Sequence, residues 1–94
     1  MIEWTLQAVR QLDQARDYIA LSNSEEVADR VVMRIVASVQ QLTNFPRLGR
    51  PGRVQGSREL VIPNTPFLVA YTTGKSRIVV LALYHGAQQW PDEF

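Results

Sequence analysis

The chain has 94 residues and a formal net charge of +1, with 46% hydrophobic and 20% charged residues. This composition excludes a disordered or membrane-spanning chain, predicts one domain over residues 1–94 with a modest core, and offers no strong overall attraction to nucleic acid. The lack of cysteine excludes disulfides, thiolate metal sites and cysteine nucleophiles, and a single histidine argues against zinc, so neither metal nor cofactor is expected.

The N-terminal residues predict a short strand followed by a helix. Ile2 to Trp4 read as an extended entry, and no signal-peptide pattern precedes the helix, so we expect a cytoplasmic protein. Thr5 is placed to cap a first helix from Leu6 to about Leu21, where apolar residues recur with a period of 3.6.

A second helix is predicted directly after the first. Residues 22–24 break the first helix, and Asn23 followed by Glu26 resembles a capping box for the second. Its broad apolar stripe predicts packing against both the first helix and a sheet. Phe45-Pro46 is expected to end it, because the residue before proline disfavours the helical conformation.

The next segment contains the main concentration of basic residues. Residues 47–57 are rich in glycine and proline, a composition that resists both helix and strand. The arginines in and just after this segment are Arg47, Arg50, Arg53 and Arg58. Such side chains are ordinarily solvated surface residues. The alternative is that Arg47, Arg50 and Arg53 contact a target protein or nucleic acid.

The C-terminal half predicts three antiparallel strands, over Arg58 to Ile62, Phe67 to Thr72 and Arg77 to His85. In the last strand the residues of both parities are apolar, so both faces of the sheet should be covered. Helices can cover one face, and the C-terminal segment with Trp90, a second protomer or a bound partner would cover the other. The expected fold class is α+β: a helical hairpin packed on a small, mostly antiparallel sheet whose first strand lies near the N-terminus.

Several side chains have the chemistry of a metal-independent ribonuclease, which needs a base and cations around one phosphate. Arg58 and His85 are the main candidates, while Tyr71 and Tyr84 are better interpreted as packing residues. Arg77 shares its parity with His85, but eight residues of strand separate them by roughly 26 Å, so Arg77 is set aside. The start of the Arg58 strand could lie beside the His85 end of a neighbour, and the sequence leaves that pairing open.

The order of these features resembles the RelE/ParE superfamily of toxins from bacterial type II toxin–antitoxin modules. The resemblance spans nearly the whole chain and rests on a helical hairpin followed by Phe45-Pro46-Arg47-Leu48-Gly49-Arg50-Pro51-Gly52, Arg58-Glu59-Leu60, Phe67-Leu68-Val69-Ala70-Tyr71 and a strand closing on His85-Gly86. It implies a cytoplasmic toxin that a cognate antitoxin holds inactive.

The resemblance implies one of two targets. RelE-like members are endoribonucleases that cut messenger RNA on the ribosome, and in that case Arg58 and His85 would be the catalytic residues. Leu68 and Gln88 stand where those enzymes carry basic residues, which counts against cleavage. ParE-like members inhibit DNA gyrase and need a binding surface in place of a catalytic set.

The C-terminal pattern favours the ParE-like alternative by a small margin. Leu83-Tyr84-His85 followed by Gln88 and Gln89 is similar to ParE-like C-termini. Gyrase inhibition is therefore the favoured hypothesis, and RNA cleavage is the alternative, so whether the chain is an enzyme stays open. A third possibility is a family member that retains only antitoxin binding.

Overall fold

A helical hairpin packs on one face of a five-stranded sheet in the computed structural model, which describes residues 1–86. In chain order the elements are β1 (Ile2–Trp4), α1 (Leu6–Ser22), α2 (Glu25–Gln40), β2 (Arg50–Pro51), β3 (Arg58–Val61), β4 (Phe67–Gly74) and β5 (Arg77–His85). The strand order is β1-β5-β4-β3-β2, with β1 parallel to β5 and the other pairs antiparallel. The predicted α+β fold is confirmed. Neither helix of this part of the chain is long and apolar enough to cross a membrane.

The first helix begins at the predicted cap. The Thr5 hydroxyl oxygen accepts a hydrogen bond from the backbone N–H of Ala8 at 3.1 Å, which satisfies one of the free amides of the first turn. The same hydroxyl donates to the carbonyl of Leu81 at 3.0 Å. Thr5 therefore starts α1 and also ties it to β5.

The N-cap of the second helix lies one residue later than predicted. Ser24, and not Asn23, accepts the capping hydrogen bond, from the N–H of Val27 at 3.1 Å. Asn23 instead closes α1, and its own N–H donates to the carbonyl of Ile19 at 2.8 Å. The predicted Asn23 and Glu26 capping box is wrong, because the tight connection uses Asn23 to leave the first helix and only the next residue can start the second.

The connection between α2 and β3 has more regular structure than its composition predicts. The α2 helix ends at Gln40 and continues as a 3-10 turn, Gln41–Thr43, so the chain leaves the helix before the predicted end at Phe45-Pro46. β2 lies inside the segment expected to resist both helix and strand. It forms because it is a two-residue edge strand, a position where the missing N–H of Pro51 is tolerated.

The main core lies between the hairpin and the sheet, and a bulge decides which β5 residues reach it. Ala70 pairs with Ala82 and Tyr71 with Val80, so Leu81 has no partner across the pair. The extra residue reverses the alternation of faces. Leu83 consequently joins Val80 in the core below the helices, while Ala82 packs in a second cluster. The strict alternation expected from the sequence is wrong beyond this bulge.

Part of the second face of the sheet is also buried, as the apolar residues of both parities predict. Ala70, Ala82 and Tyr84 form a cluster there and are almost inaccessible to solvent. The expectation that Trp90 and the C-terminal segment fold over a face of the sheet concerns residues 87–94, which lie outside the described part of the chain, as do Gln88 and Gln89.

Candidate functional site

The sheet brings the arginines of the central segment together at one end. β2 pairs with the start of β3, with Arg50 opposite Glu59 and Pro51 opposite Arg58. We call residues 45–53, which cross this end, the arginine loop. Three neighbouring residues of the sheet hold it in place: Arg58 and Glu59 on β3, and Tyr71, which pairs with Arg58, on β4.

Tyr71 anchors the loop through its hydroxyl group. The ring is fully buried in the core, as expected for a packing residue. Its hydroxyl accepts a hydrogen bond from the N–H of Gly49 at 2.9 Å and donates one to the carbonyl of Pro46 at 2.9 Å. Two backbone groups of the loop are thus satisfied by one side chain that lies more than 20 residues away in sequence.

Gly49 is required at this contact. A Cβ added there would lie 2.7 Å from the Tyr71 hydroxyl and 2.8 Å from the carbonyl oxygen of Glu59, closer than real Cβ contacts allow. The loop backbone therefore rests directly on the sheet, which only a residue without a side chain permits.

Arg58 binds the backbone of the same loop. Its Nη1 donates to the carbonyl of Gly49 at 2.6 Å and makes a longer contact of 3.5 Å with the carbonyl of Arg47. Charged donors make stronger hydrogen bonds than neutral ones, so these contacts hold the loop backbone firmly. Nη1 of the guanidinium is thus occupied by peptide carbonyls of the loop.

Glu59 is the residue of this site that the sequence did not predict. Its side chain is only 2% exposed. Oε2 accepts the backbone N–H of Arg53 at 2.9 Å, and Oε1 accepts from Nε and Nη2 of Arg50 at 3.3 and 3.2 Å. The Nε of Arg53 lies 3.9 Å from Oε2. The signal for this role was a lone acid at the start of an apolar strand, beside four arginines.

His85 lies at the opposite end of the sheet from Arg58. It pairs with Phe67 across β4 and β5, and the two rings meet edge to face with centroids 5.7 Å apart. Arg58 pairs with Tyr71, four residues further along β4. Four residues along a strand and two strand spacings across the sheet separate the two Cα atoms by roughly 16 Å. The possible Arg58 and His85 pairing is therefore not formed.

The bulge also separates Arg77 from His85. Arg77 donates to Glu3 at 2.6 Å, whereas His85 lines an apolar groove with Tyr18, Ile19 and Val31 of the hairpin. The two side chains thus occupy opposite faces, and the shared parity expected from an unbroken strand is wrong. Arg77 therefore lies apart from His85 and pairs with Glu3 of β1.

The arginine loop borders a second depression, which is larger than the groove at His85. A cavity of about 400 Å³ lies between the loop, the outer edge of β3 and the end of α2. Its apolar wall comes from Leu48, Leu60 and Val61, and its polar rim from Arg50 and Glu59. Within residues 1–86, no group of three or more acidic or histidine side chains is placed to hold a metal ion.

Two buried tyrosines predict a loss of stability at alkaline pH. Burial raises the pKa of Tyr71 above its ordinary value near 10, although the Gly49 N–H and the charge of Arg58 lower it, and burial alone raises the pKa of Tyr84. Because folding favours the neutral phenols, their contribution is complete below about pH 10 and declines as pH rises through the folded-state values.

Urea unfolding measured from pH 8 to pH 11 tests this expectation. The midpoint of the wild-type chain should fall more steeply above about pH 10 than that of the double variant Tyr71→Phe, Tyr84→Phe, which has no buried phenol to ionise. Parallel pH profiles for the two chains would show that these hydroxyl groups do not control alkaline stability.

Comparison with known proteins gives matches over most of the chain, and all of those described below are toxins or toxin–antitoxin systems. A family model described as the ParE toxin of the type II toxin–antitoxin system parDE matches residues 2–90. A protein of Sinorhizobium fredii named "Putative toxin Y4kP" is 40% identical over 90 residues, which cover 96% of this chain and 92% of the relative. A solved structure described as the chromosomal ParDE toxin–antitoxin system from P. aeruginosa superimposes with a TM-score of 0.82 at 28% identity, covering 89% of this chain and 92% of its own.

Proposed function

Because this chain belongs to the ParE toxin family of type II toxin–antitoxin systems, we propose that it arrests growth by inhibiting DNA gyrase in the cytoplasm. As the toxin of such a module it has a cognate antitoxin as its partner. The antitoxin would keep the toxin inactive until it is removed.

The separation of Arg58 from His85 is the observation that carries this proposal. Metal-independent RNA cleavage requires a proton acceptor and cations within reach of one phosphate group. Here the two candidate side chains are roughly 16 Å apart along the sheet, and the Arg58 guanidinium binds backbone carbonyls of the arginine loop. The chain offers a shaped, positively charged surface, which suits inhibition by binding better than catalysis.

A direct comparison of two activities tests the proposal. The purified toxin is added to DNA gyrase with relaxed plasmid, and separately to a translating ribosome system with labelled messenger RNA. We expect supercoiling to fall with toxin concentration while the messenger RNA stays intact. Toxin mixed beforehand with its cognate antitoxin is the control and should leave supercoiling unaffected. Cleaved messenger RNA together with normal supercoiling would reverse the conclusion in favour of a ribonuclease.

A further inference from the structure

The arginine loop exposes large apolar side chains next to its cations. Phe45 is 62% exposed and Leu48 50%, and Val61 on the adjoining edge of β3 is also half exposed. Leu48 and Val61 share the wall of the same cavity. Single exposed apolar residues are common on proteins, but several beside one cavity mark a surface that a partner can cover.

The charge of this surface is positive. Four arginines lie at or beside the loop, and among residues 1–86 Glu59 is the one buried carboxylate that contacts them. The side chains of Arg50 and Arg53 are each more than half exposed even while they contact Glu59. A partner that covers this surface is therefore expected to be acidic.

The loop holds its shape without help from any partner. Tyr71, Arg58 and Glu59 bind its backbone at Pro46, Gly49 and Arg53, and all of these bonds lie within the chain. A surface already ordered in the free protein loses little conformational entropy on binding. Such a surface is present when the antitoxin has gone, which is the state in which a toxin acts.

We propose that residues 45–53 form the surface through which this toxin binds its target protein, at an acidic patch that carries an apolar side chain. This inference rests on the proposed inhibition of a target by binding. The exposed ring of Phe45 and the aliphatic side chain of Leu48 favour a protein over the phosphates of nucleic acid. Phosphate groups are charged and make no favourable contact with apolar side chains. The N–H groups of Arg50 also favour a protein partner. Some of them already donate to Glu59, so fewer remain to bind a phosphate.

Two single variants and two matched controls test this surface. Arg47→Glu reverses a charge and Phe45→Ser removes an exposed ring from the loop. Arg30→Glu on α2 makes the same charge reversal at an exposed position outside the loop. Leu21→Ser at the end of α1 likewise replaces a large exposed apolar side chain with serine. Circular dichroism and thermal unfolding first establish that all four chains fold as the wild type does.

Four quantities are then measured for each chain: growth arrest in cells lacking the antitoxin, and binding to purified gyrase, to the antitoxin and to plain DNA duplex. We expect each loop variant to bind gyrase at least tenfold more weakly and to lose growth arrest, while the controls stay within twofold of wild type. Antitoxin affinity should remain within threefold for all of them. Raising the salt concentration should weaken gyrase binding by the wild type more than by Arg47→Glu, because one attractive charge is gone.

Loop variants that arrest growth and bind gyrase like the wild type would overturn the proposal. A tenfold loss of antitoxin affinity with growth arrest retained would also overturn it, by assigning the surface to the antitoxin. A loss confined to binding of plain DNA duplex would do the same in favour of nucleic acid. If the wild type arrests growth without binding gyrase while the loop variants fail to arrest, the gyrase proposal fails and the surface stands with another target protein.

Discussion

Replacing Tyr71 with phenylalanine is expected to lower the free energy of unfolding by about 2–3 kcal/mol and to loosen the arginine loop. The phenyl ring keeps the core packing, so the change isolates the hydroxyl group. Without it, the N–H of Gly49 and the carbonyl of Pro46 both lose their hydrogen-bond partner beneath the loop. An unpaired buried polar group costs about 1–3 kcal/mol, and partial access of water reduces the total for the pair.

Two measurements separate stability from loop release. Urea unfolding with an unchanged m-value reports the loss of stability, and amide hydrogen exchange at Gly49 reports the loop, which we expect to exchange faster than in the wild type. Tyr18→Phe is the matched control, because Tyr18 is 72% exposed and its change should stay within about 0.5 kcal/mol. Equal stability and equal protection at Gly49 in Tyr71→Phe would show that the hydroxyl bridge does not hold the loop.

Replacing Glu59 with glutamine should have the second largest effect, a loss of about 2 kcal/mol. Hydrogen bonds to a charged group contribute about 1.5–3 kcal/mol, and here the carboxylate accepts from the Arg50 side chain and the Arg53 backbone. Glutamine retains one acceptor but turns an NH₂ group towards other donors. Because both arginine side chains are largely exposed, they can turn to water, which keeps the cost below that of breaking a fully buried ion pair.

A double-mutant cycle identifies the interaction responsible. Unfolding is measured for Glu59→Gln, for Arg50→Ala and for the combination, and we expect the two single effects to add to more than the effect of the double variant. Asp13→Asn removes an exposed carboxylate on α1 and serves as the control, with an expected change within about 0.5 kcal/mol. Strict additivity in the cycle would mean that Glu59 acts through the Arg53 backbone alone.

These variants also bear on target binding. Tyr71→Phe and Glu59→Gln leave every exposed side chain of the arginine loop in place. The first changes only what holds the loop backbone, and the second also removes the carboxylate that the Arg50 side chain contacts. If the surface works because it is already ordered, both variants should weaken gyrase binding without removing a contact residue.

The sequence was sufficient for both helices, for the strands other than β2, and for the family. The 3.6-residue apolar period, the cap at Thr5 and the strand-sized apolar runs depend on residues close together in the chain, and each predicted an element that the structure contains. The ordered segments from Phe45 to His85 indicated a RelE/ParE toxin, and the family match over residues 2–90 confirms it. The concentration of arginines at positions 47–58 was equally visible.

The arrangement of the site depended on the tertiary structure. One unpaired residue, Leu81, reverses the faces of β5, and the register of β4 with its neighbours sets Arg58 and His85 at opposite ends. Strand register and bulges arise from pairing between distant segments, so local patterns do not encode them in readable form. For the same reason the sequence showed Glu59 as an ordinary acid and Tyr71 as a packing residue, whereas the folded chain uses both to hold a loop that lies far from Tyr71 in sequence.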